Sequence, residues 1–196
     1  MILHAESKIR AHAELRRIDV ALASFLIERF QNAYELGRIK TSLQEPIRDQ
    51  RREREVIRRI AAFECPNVSP VTRRRIFLRI MAVTRKLEDK MFSDSLHSFT
   101  RAQLLAKKRA ARNEIDKLDS EIVRLLDRRS KIAKSSSGKP PSQRGLRYDK
   151  DYINSIRAII CELRANSDIK QGIWEIFCGL FEIDLSFVSA VHDPEC

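Results

Sequence analysis

Two stretches of the sequence decide the fold: LRRIDVALASFLIER at residues 15–29 and IDKLDSEIVRLLDRR at residues 115–129. In both stretches apolar residues recur every three or four positions, which is the spacing of one face of an α-helix. The stretches lie 100 residues apart, and each has an aspartate at its fifth position and an arginine at its last. Helical spacing alone explains the shared apolar positions but neither the aspartate nor the arginine. The chain is therefore predicted to contain an internal repeat.

A second pair of apolar stripes, also 100 residues apart, supports the repeat and adds Phe77 and its counterpart Phe177. The stripes are Ile76, Ile80, Val83 and Leu87 in the first half and Ile176, Leu180, Ile183 and Phe187 in the second.

Prolines and glycines divide each half into three predicted helices. Proline is absent from residues 1–45 and 71–139, only five glycines occur in the chain, and alternating strand patterns are rare. We therefore predict an all-α fold with two units, unit one at 1–95 and unit two at 96–196, fused as an intertwined pseudo-dimer. The predicted helices are 6–42, 49–64 and 70–92 in unit one, and 101–134, 148–165 and 168–191 in unit two.

Composition limits the classes of function. The net charge of +11 favours an anionic partner, either nucleic acid or a small anionic substrate. No apolar run approaches the roughly 18 residues of a membrane-spanning helix. The first 14 residues lack the apolar core of a signal peptide, so a cytoplasmic protein is expected.

The four cysteines have no zinc-ligand spacing, and no metal site is expected. In a reducing compartment they are predicted to be free thiols, with Cys161 and Cys178 serving as small apolar core residues.

Polar residues accompany the apolar stripes on all three helices of unit one. Arg29 and Lys40 stand 11 positions apart, about three helical turns, and so share a face. The second predicted helix carries three polar residues at i, i+3 and i+4, beginning with Asp49. The third carries two at i and i+4, beginning with Thr84. If these faces converge, they form a buried polar pocket suited to a compact dicarboxylate. The trio is Asp49, Arg52 and Glu53, and the pair is Thr84 and Glu88.

The joint pattern resembles the AroQ-class chorismate mutases over nearly all of residues 10–92. That family has an arginine followed by a lysine eleven residues later, then Pro-x-Arg-Asp, here Pro46-Ile47-Arg48-Asp49. An Arg-Glu pair follows, and the third helix carries a serine or threonine with glutamine or glutamate four residues later. The resemblance implies an all-helical enzyme that rearranges chorismate to prephenate without metal or cofactor.

One family element is missing from unit one. The family also has an arginine 17 residues before the first-helix arginine, donated by the partner subunit of its dimers. That position holds His12 here, whereas Arg112 stands 17 residues before Arg129 in unit two. We therefore expect unit two to replace the partner subunit and Arg112 to complete the pocket of unit one. Arg16 and Arg10 are the alternatives for this role.

The second pocket is predicted to be inactive. If the first loop of unit two is one residue shorter, Lys139 matches Lys40, but the positions of Asp49, Arg52, Glu53, Thr84 and Glu88 hold Tyr148, Asp151, Tyr152, Asp184 and Val188.

The resemblance also implies a role for each residue of the first pocket. Arg29 and Arg112 would bind the two carboxylates, Lys40 a carboxylate and the ether oxygen, and Arg52 the carboxylate side. Glu53 and the backbone at Asp49 would hold the ring hydroxyl, and Thr84 would add a hydrogen bond. Glu88 would face the ether oxygen as a donor, which a carboxyl group is only when protonated. Arg29, Lys40 and Glu88 are the predicted catalytic residues.

Other functions fit parts of the pattern. An isochorismate-pyruvate lyase or an aminodeoxychorismate mutase would use the same fold, but the lyases lack the glutamate that Glu53 provides. The arginine-rich runs at 51–59 and 73–75 suggest a nucleic-acid-binding module, yet no aromatic residues are interleaved with them, so nucleic acid is not the expected partner. A non-catalytic regulatory relative is the third class. The sequence leaves further homodimerisation open, as well as whether prephenate would feed aromatic amino acids or a specialised pathway.

Overall fold

The computed structural model describes residues 2–89, 99–136 and 150–180, except for the side chains of residues 2–9, 88, 89, 134, 136 and 150. These ranges form α-helices and no strand, so the predicted all-α class is confirmed. The helices are α1 (Ile2–Ser42), α2 (Gln50–Ala62), α3 (Pro70–Asp89), α4 (Arg101–Ser136), α5 (Lys150–Glu162) and α6 (Ser167–Leu180).

Local hydrogen bonds fix where the helices begin and end. After α1, Gln44 adopts a left-handed conformation (φ 57°), and the amide of Glu45 returns to the carbonyl of Lys40 at 2.9 Å. Asp49 caps α2 by accepting a hydrogen bond from the Arg52 amide at 3.0 Å. Ser69 caps α3 in the same way, as its sequence position suggests. The polar loop between α1 and α2 is therefore held in one shape.

The long helices α1 and α4 pack antiparallel along most of their lengths. Their apolar stripes meet the inner faces of the shorter helices in one main core that spans both halves of the chain. Its three fully buried aromatic rings are Phe30, Phe77 and Phe177. Both halves of the chain thus contribute to one core, as expected for stretches of about 100 residues, which are too small to bury enough surface alone.

Two reciprocal ion pairs lie within the α1–α4 interface. Arg29 Nε donates to Asp119 Oδ1 at 2.7 Å, and Arg129 Nε donates to Asp19 Oδ1 at the same distance. All four residues are buried, with at most 6% of their surface exposed. Charged groups in such a site need partners, and each aspartate has a second one: Asp119 also accepts from Arg59 of α2 at 3.3 Å, and Asp19 also accepts from the Tyr152 hydroxyl. The residues that reveal the repeat in the sequence are therefore the residues that join its two halves.

The structure corrects the register expected for α5. Val56 and Ile60 are the buried residues of α2, and the buried positions of α5 include Ile156 and Ile160. The offset between α2 and α5 is thus 100 residues, and not the 99 residues that follow from a loop one residue shorter. A shift of one residue rotates a helix by about 100° and would expose the apolar stripe. Tyr152 consequently occupies the position of Arg52, and Ile153, not Tyr152, that of Glu53.

The cysteines depart from the expectation of free thiols. Cys65 and Cys178 are free and buried, but Cys161 is disulfide-bonded and only half-buried. The expectation was therefore wrong for Cys161, and the core role applies to Cys178 alone. Burial raises the pKa of the Cys178 thiol to about 11, so this thiol is unreactive at neutral pH.

None of the helices in the described ranges is long and apolar enough to cross a membrane. The same residues contain no cluster of histidine, cysteine and carboxylate side chains that could hold a metal ion.

Candidate active site

Four helices enclose a small cavity of about 80 Å³ beside the buried Arg29–Asp119 pair. Its walls come from α1, from the loop before α2, from α2 and α3, and from α4 of unit two. Seven of the eight site residues expected from the sequence line it: Arg29, Lys40, Asp49, Arg52, Glu53, Thr84 and Arg112. The eighth, Glu88, lies on α3 with its side chain outside the described part of the structure. The remaining lining residues are Ala33, Leu36, Ile47, Val56, Met81, Arg85 and Ile115.

Arg29 is held in a fixed orientation at the base of the cavity. Its Nε binds Asp119, and its Nη1 donates to the Thr84 hydroxyl at 2.9 Å. Thr84 in turn donates to the carbonyl of Ile80, one turn earlier on α3. Because the guanidinium group carries five N–H donors, these bonds leave donors on both Nη atoms for an anion. Asp119 therefore orients the arginine without using the face that a ligand would meet.

Lys40 lies in the last turn of α1, where 5% of its surface is exposed. Its Nζ donates to the carbonyl of Ile47 in the following loop. The same loop is tied to α4 by an ion pair between Glu45 and Lys108. The loop is thereby closed over the end of the cavity by contacts with both long helices.

Asp49 and Arg112 meet at the opposite wall. Arg112 Nη2 lies 2.9 Å from Asp49 Oδ2, so α4 contributes a cation directly beside the cap of α2. The Arg52 amide, by donating a hydrogen bond, lowers the pKa of the Asp49 carboxyl below its usual value. Partial burial opposes this effect, and the charges of Arg112 and Lys40 add to it. Asp49 is therefore ionised at neutral pH, and Arg112 is oriented by it.

The side chains of α2 have partners on other helices. Arg52 donates to the Asp116 carboxylate of α4 and to Glu55 at 2.9 Å. Burial is the largest single effect and disfavours the charge of Arg52, but the hydrogen bonds and charges of Asp116 and Glu55 together outweigh it and raise the pKa of the guanidinium. Glu53 accepts from Arg85 of α3 through both oxygens, at 3.1 and 3.3 Å. These pairs hold α2 in place between α3 and α4.

The balance of charge in the cavity is positive. Five cationic side chains line it against two carboxylates, Asp49 and Glu53, although Arg29 and Arg52 are also paired with Asp119 and Asp116 behind the walls. Such a cavity attracts a compact anion with two carboxylates, because arginine and lysine donors can bind both groups. The cations are Arg29, Lys40, Arg52, Arg85 and Arg112.

Neither alternative to Arg112 reaches this cavity. Arg10 and Arg16 are exposed on the N-terminal half of α1, and neither is among the lining residues. The antiparallel packing explains why, since it brings the N-terminal half of α1 against the C-terminal half of α4.

Three residues that matter for the geometry were not identified from the sequence as site residues. Asp116 and Asp119 of α4 orient Arg52 and Arg29, and Arg85 of α3 orients Glu53. Asp119 had a signal, because it is part of the repeated pattern. Asp116 and Arg85 had none, since each is one charged helical residue among many.

The equivalent part of unit two is arranged differently. Tyr152 donates to the Asp19 carboxylate that also binds Arg129, and only 5% of the tyrosine surface is exposed. His12 stands beside Tyr152 with 6.0 Å between the ring centroids. A neutral ring thus takes the place that the cation Arg52 has in unit one. Of the other counterparts predicted from the sequence, Asp151 is exposed at the start of α5, and the rest, Lys139, Tyr148, Asp184 and Val188, lie outside the described residues.

Comparison with protein families agrees with this geometry. Residues 11–89, which cover most of α1 to α3, match the family model Chorismate mutase type II, that of the all-helical AroQ class. Comparisons with curated proteins and with solved structures give no match.

Proposed function

We propose that the protein is a chorismate mutase with one active site, the cavity described above. The observation that carries the proposal is the convergence of seven residues on that cavity from both halves of the chain. The match of residues 11–89 to the chorismate mutase family model supports chorismate as the substrate. Chorismate is a ring with two carboxylates, an ether oxygen and a hydroxyl group, and each has a partner of suitable charge here.

The rearrangement of chorismate is unimolecular, so the protein has two tasks. It must hold the substrate in the compact conformer in which the reacting carbons approach, and it must stabilise the negative charge on the ether oxygen as the C–O bond breaks. The free Nη donors of Arg29 and the guanidinium of Arg112 bind the two carboxylates. Lys40 donates to one carboxylate and to the ether oxygen. For this its Nζ gives up the hydrogen bond to the Ile47 carbonyl when the substrate binds.

The remaining residues hold the ring. Glu53 and the backbone at Asp49 bind the ring hydroxyl. Arg52, which is held in place by its ion pair with Asp116, lies on the side of the substrate carboxylates. Thr84 adds a hydrogen bond near the Arg29 end, where its hydroxyl already contacts the guanidinium. Glu88 is the second donor to the ether oxygen. Since these groups are oriented by other parts of the protein, little reorganisation is needed at the moment of reaction.

Glu53 favours the mutase over a lyase that acts on isochorismate. A carboxylate held by Arg85 can accept a hydrogen bond from the substrate hydroxyl. The lyases of this fold that the sequence resembles lack a glutamate here, so we infer the mutase reaction.

We further propose that unit two replaces the partner subunit of a dimeric mutase. Support comes from the helix bounds, which repeat at an offset of about 100 residues, and from the reciprocal pairs Arg29–Asp119 and Arg129–Asp19. Under this proposal α4 provides Arg112 to the site of unit one. Unit two makes no second active site, because Tyr152 stands where Arg52 would be needed.

The direct test is turnover of chorismate by the purified protein, with identification of the product, for the wild type and for Arg112→Ala. We expect prephenate, and a fall in kcat/KM of about 10²–10³ in the variant, as for removal of one donor to the developing charge. Arg109→Ala is the matched control, because Arg109 is an exposed arginine one turn away on α4. Absence of turnover by the folded wild type would overturn the proposal, and release of pyruvate from isochorismate would replace it with the lyase. Equal activity of the two variants would refute the donation of Arg112.

A further inference from the structure

A second cavity of about 420 Å³ lies on the outer side of α2 and α3, and we call it the basic groove. Its volume is typical of sites that bind small organic molecules. Four arginines and one glutamate provide its charged groups, a net charge of three. Its lining residues are Glu53, Arg54, Ile57, Arg58, Ala61, Arg74, Leu78, Met81 and Arg85.

Three of the four arginines of the groove lack the acidic partner that some other surface arginines have. On α1 and α4, Arg17 and Arg124 each face a glutamate one turn away, at Glu14 and Glu121. By contrast, no carboxylate among the described residues lies within 4.0 Å of Arg54, Arg58 or Arg74. Three cations thus face one groove without neutralisation, which favours an anionic ligand.

The floor of the groove is apolar. Leu78 has 45% of its surface exposed there, and Ile57 and Met81 lie beside it. An inorganic ion would leave this surface in contact with water. A ligand that joins an anionic group to an apolar body would cover it and bind the arginines at the same time.

The groove and the active-site cavity share one wall. Glu53, Met81 and Arg85 line both. Arg85 is about one-third exposed and donates to both oxygens of Glu53. An anion in the groove would compete with Glu53 for this arginine, so occupancy of one space is expected to change the other.

The groove is not a consequence of the repeated fold. At an offset of 100 residues, the positions of Arg54, Arg58 and Arg74 hold Asn154, Ala158 and Trp174. The outer face of α5 and α6 therefore lacks these cations, although its helices correspond to α2 and α3. The positive charge is specific to the unit that carries the candidate active site.

We propose that the basic groove is a regulatory site for a small organic anion with an apolar body, and that the bound anion withdraws Arg85 from Glu53. Glu53 then loses its fixed position, and negative charge is added beside the cavity that attracts the substrate. Both effects weaken binding of the anionic substrate, so the ligand is an inhibitor that raises KM. The binding step stands alone, whereas the inhibition rests on the proposed mutase activity.

Binding is tested with phenyl phosphate and with isophthalate, which carry phosphate and carboxylate groups on the same kind of ring. Each is titrated into ¹⁵N-labelled full-length protein while the backbone amides are followed by NMR. We expect saturable shifts at Arg54, Arg58, Arg74 and Leu78 with at least one ligand, and the ligand with the tighter binding identifies the preferred anionic group. These ligand-induced shifts should disappear in the double variant Arg58→Gln/Arg74→Gln. The matched control is Arg17→Gln/Arg124→Gln, which removes the same charge at exposed sites elsewhere.

Coupling is tested by chorismate turnover in the presence of the ligand that binds better. In the wild type we expect KM to rise about fivefold and then to level off, because an inhibitor at a separate site has a finite coupling to the substrate. The Arg58→Gln/Arg74→Gln protein should lose this plateau while its turnover without ligand stays near that of the wild type. The Arg17→Gln/Arg124→Gln protein should respond as the wild type does.

Three outcomes would overturn the proposal. The first is that the groove amides shift with neither ligand. The second is a rise in KM that continues linearly with ligand concentration, which indicates direct competition in the cavity. The third is that a short RNA shifts the groove amides with steep salt dependence while the small anions do not. If the protein does not turn over chorismate, the mutase proposal fails, and the NMR titration still decides whether the groove is a site.

Discussion

The two buried ion pairs between α1 and α4 have the same geometry and different surroundings. Arg29 and Arg129 each donate from Nε to an aspartate 2.7 Å away. Beside Arg29 lies a cavity with further cations from α1, α2 and α4. Beside Arg129, Tyr152 binds the same aspartate that the arginine binds. The Arg29–Asp119 pair thus borders a cavity, whereas the aspartate of the Arg129–Asp19 pair is shared with a tyrosine.

This difference separates the structural and functional roles of one repeated pattern. Both pairs hold the long helices together, because breaking a buried pair leaves an uncompensated charge, at a cost of about 3–5 kcal/mol. Within the described residues, the Arg29–Asp119 pair borders a cavity lined by further cations, and Tyr152 and His12 lie beside the Arg129–Asp19 pair. Under the proposed tandem arrangement, the scaffold is present twice, and the residues around each ion pair determine which copy carries the active site.

The strongest test of the comparison exchanges each arginine for lysine. Arg29→Lys and Arg129→Lys both keep the buried positive charge but lose the planar fork of donors. We expect kcat/KM for chorismate to fall about 10²–10³-fold in Arg29→Lys and by less than about threefold in Arg129→Lys. Thermal unfolding of the two variants should be lowered similarly. Equal losses of activity at equal stability would contradict the assignment of a single site.

A second large effect is expected on the pH dependence of turnover. In the proposed mechanism Glu88 donates to the ether oxygen only while protonated, so activity is expected to fall as pH rises past its pKa. Glu88→Gln donates at every pH and should keep its kcat/KM on the alkaline side, where the wild type has lost activity. The measurement is kcat/KM against pH for both proteins. Parallel profiles would remove Glu88 from this role.

At the Arg129–Asp19 pair, a mutation is expected to change the stability of the protein and not its turnover. Tyr152→Phe removes the hydroxyl that donates to Asp19 and leaves the ring in place. We expect the free energy of unfolding to fall by about 1–3 kcal/mol, because a buried carboxylate loses one of its donors. Turnover should be unchanged. Denaturant unfolding and kcat/KM are measured together, and a loss of activity without a loss of stability would place Tyr152 in the catalytic machinery.

The smallest effect is expected at Asp49, at the rim of the cavity. Asp49→Asn keeps a cap on α2 and removes the charge that pairs with Arg112. Since the pKa of Asp49 is lowered in the folded protein, its ionisation stabilises the fold above about pH 4, and this contribution is lost as the pH falls through the folded pKa. The variant should be less stable by under about 1 kcal/mol at pH 7, as for exposed pairs. The two stability curves should converge in acid, and a constant difference down to pH 2 would contradict this account.

Much of the site was predictable because its residues lie on helices with fixed spacing. Arg29 with Lys40, and Arg52 with Asp49, had to share faces once the helices were assigned. The repeat also located Asp119, because an aspartate and an arginine returned together with the apolar stripes. The resemblance to a family supplied the roles, and it directed attention to Arg112 in the other half of the chain.

Other parts of the site could not be read from the sequence. Asp116 and Arg85 become important only because α4 and α3 bring them to Arg52 and Glu53, and no local pattern marks them. The register of α5 was predicted one residue away from its true position, since the length of a loop does not reveal which face of the next helix is buried. The disulfide at Cys161 was likewise missed, because pairing depends on distance in space.

The sequence by itself determined the all-α class, the three helices of each unit and the residue types of one polar pocket. Those features follow from periodicity, prolines and caps, which act over a few residues. Only the tertiary structure decided that Arg112 rather than Arg16 lines the cavity, and that Tyr152 binds the aspartate of the second ion pair. These outcomes depend on the antiparallel alignment of α1 with α4, which is fixed by side chains about 90 and 110 residues apart in the chain.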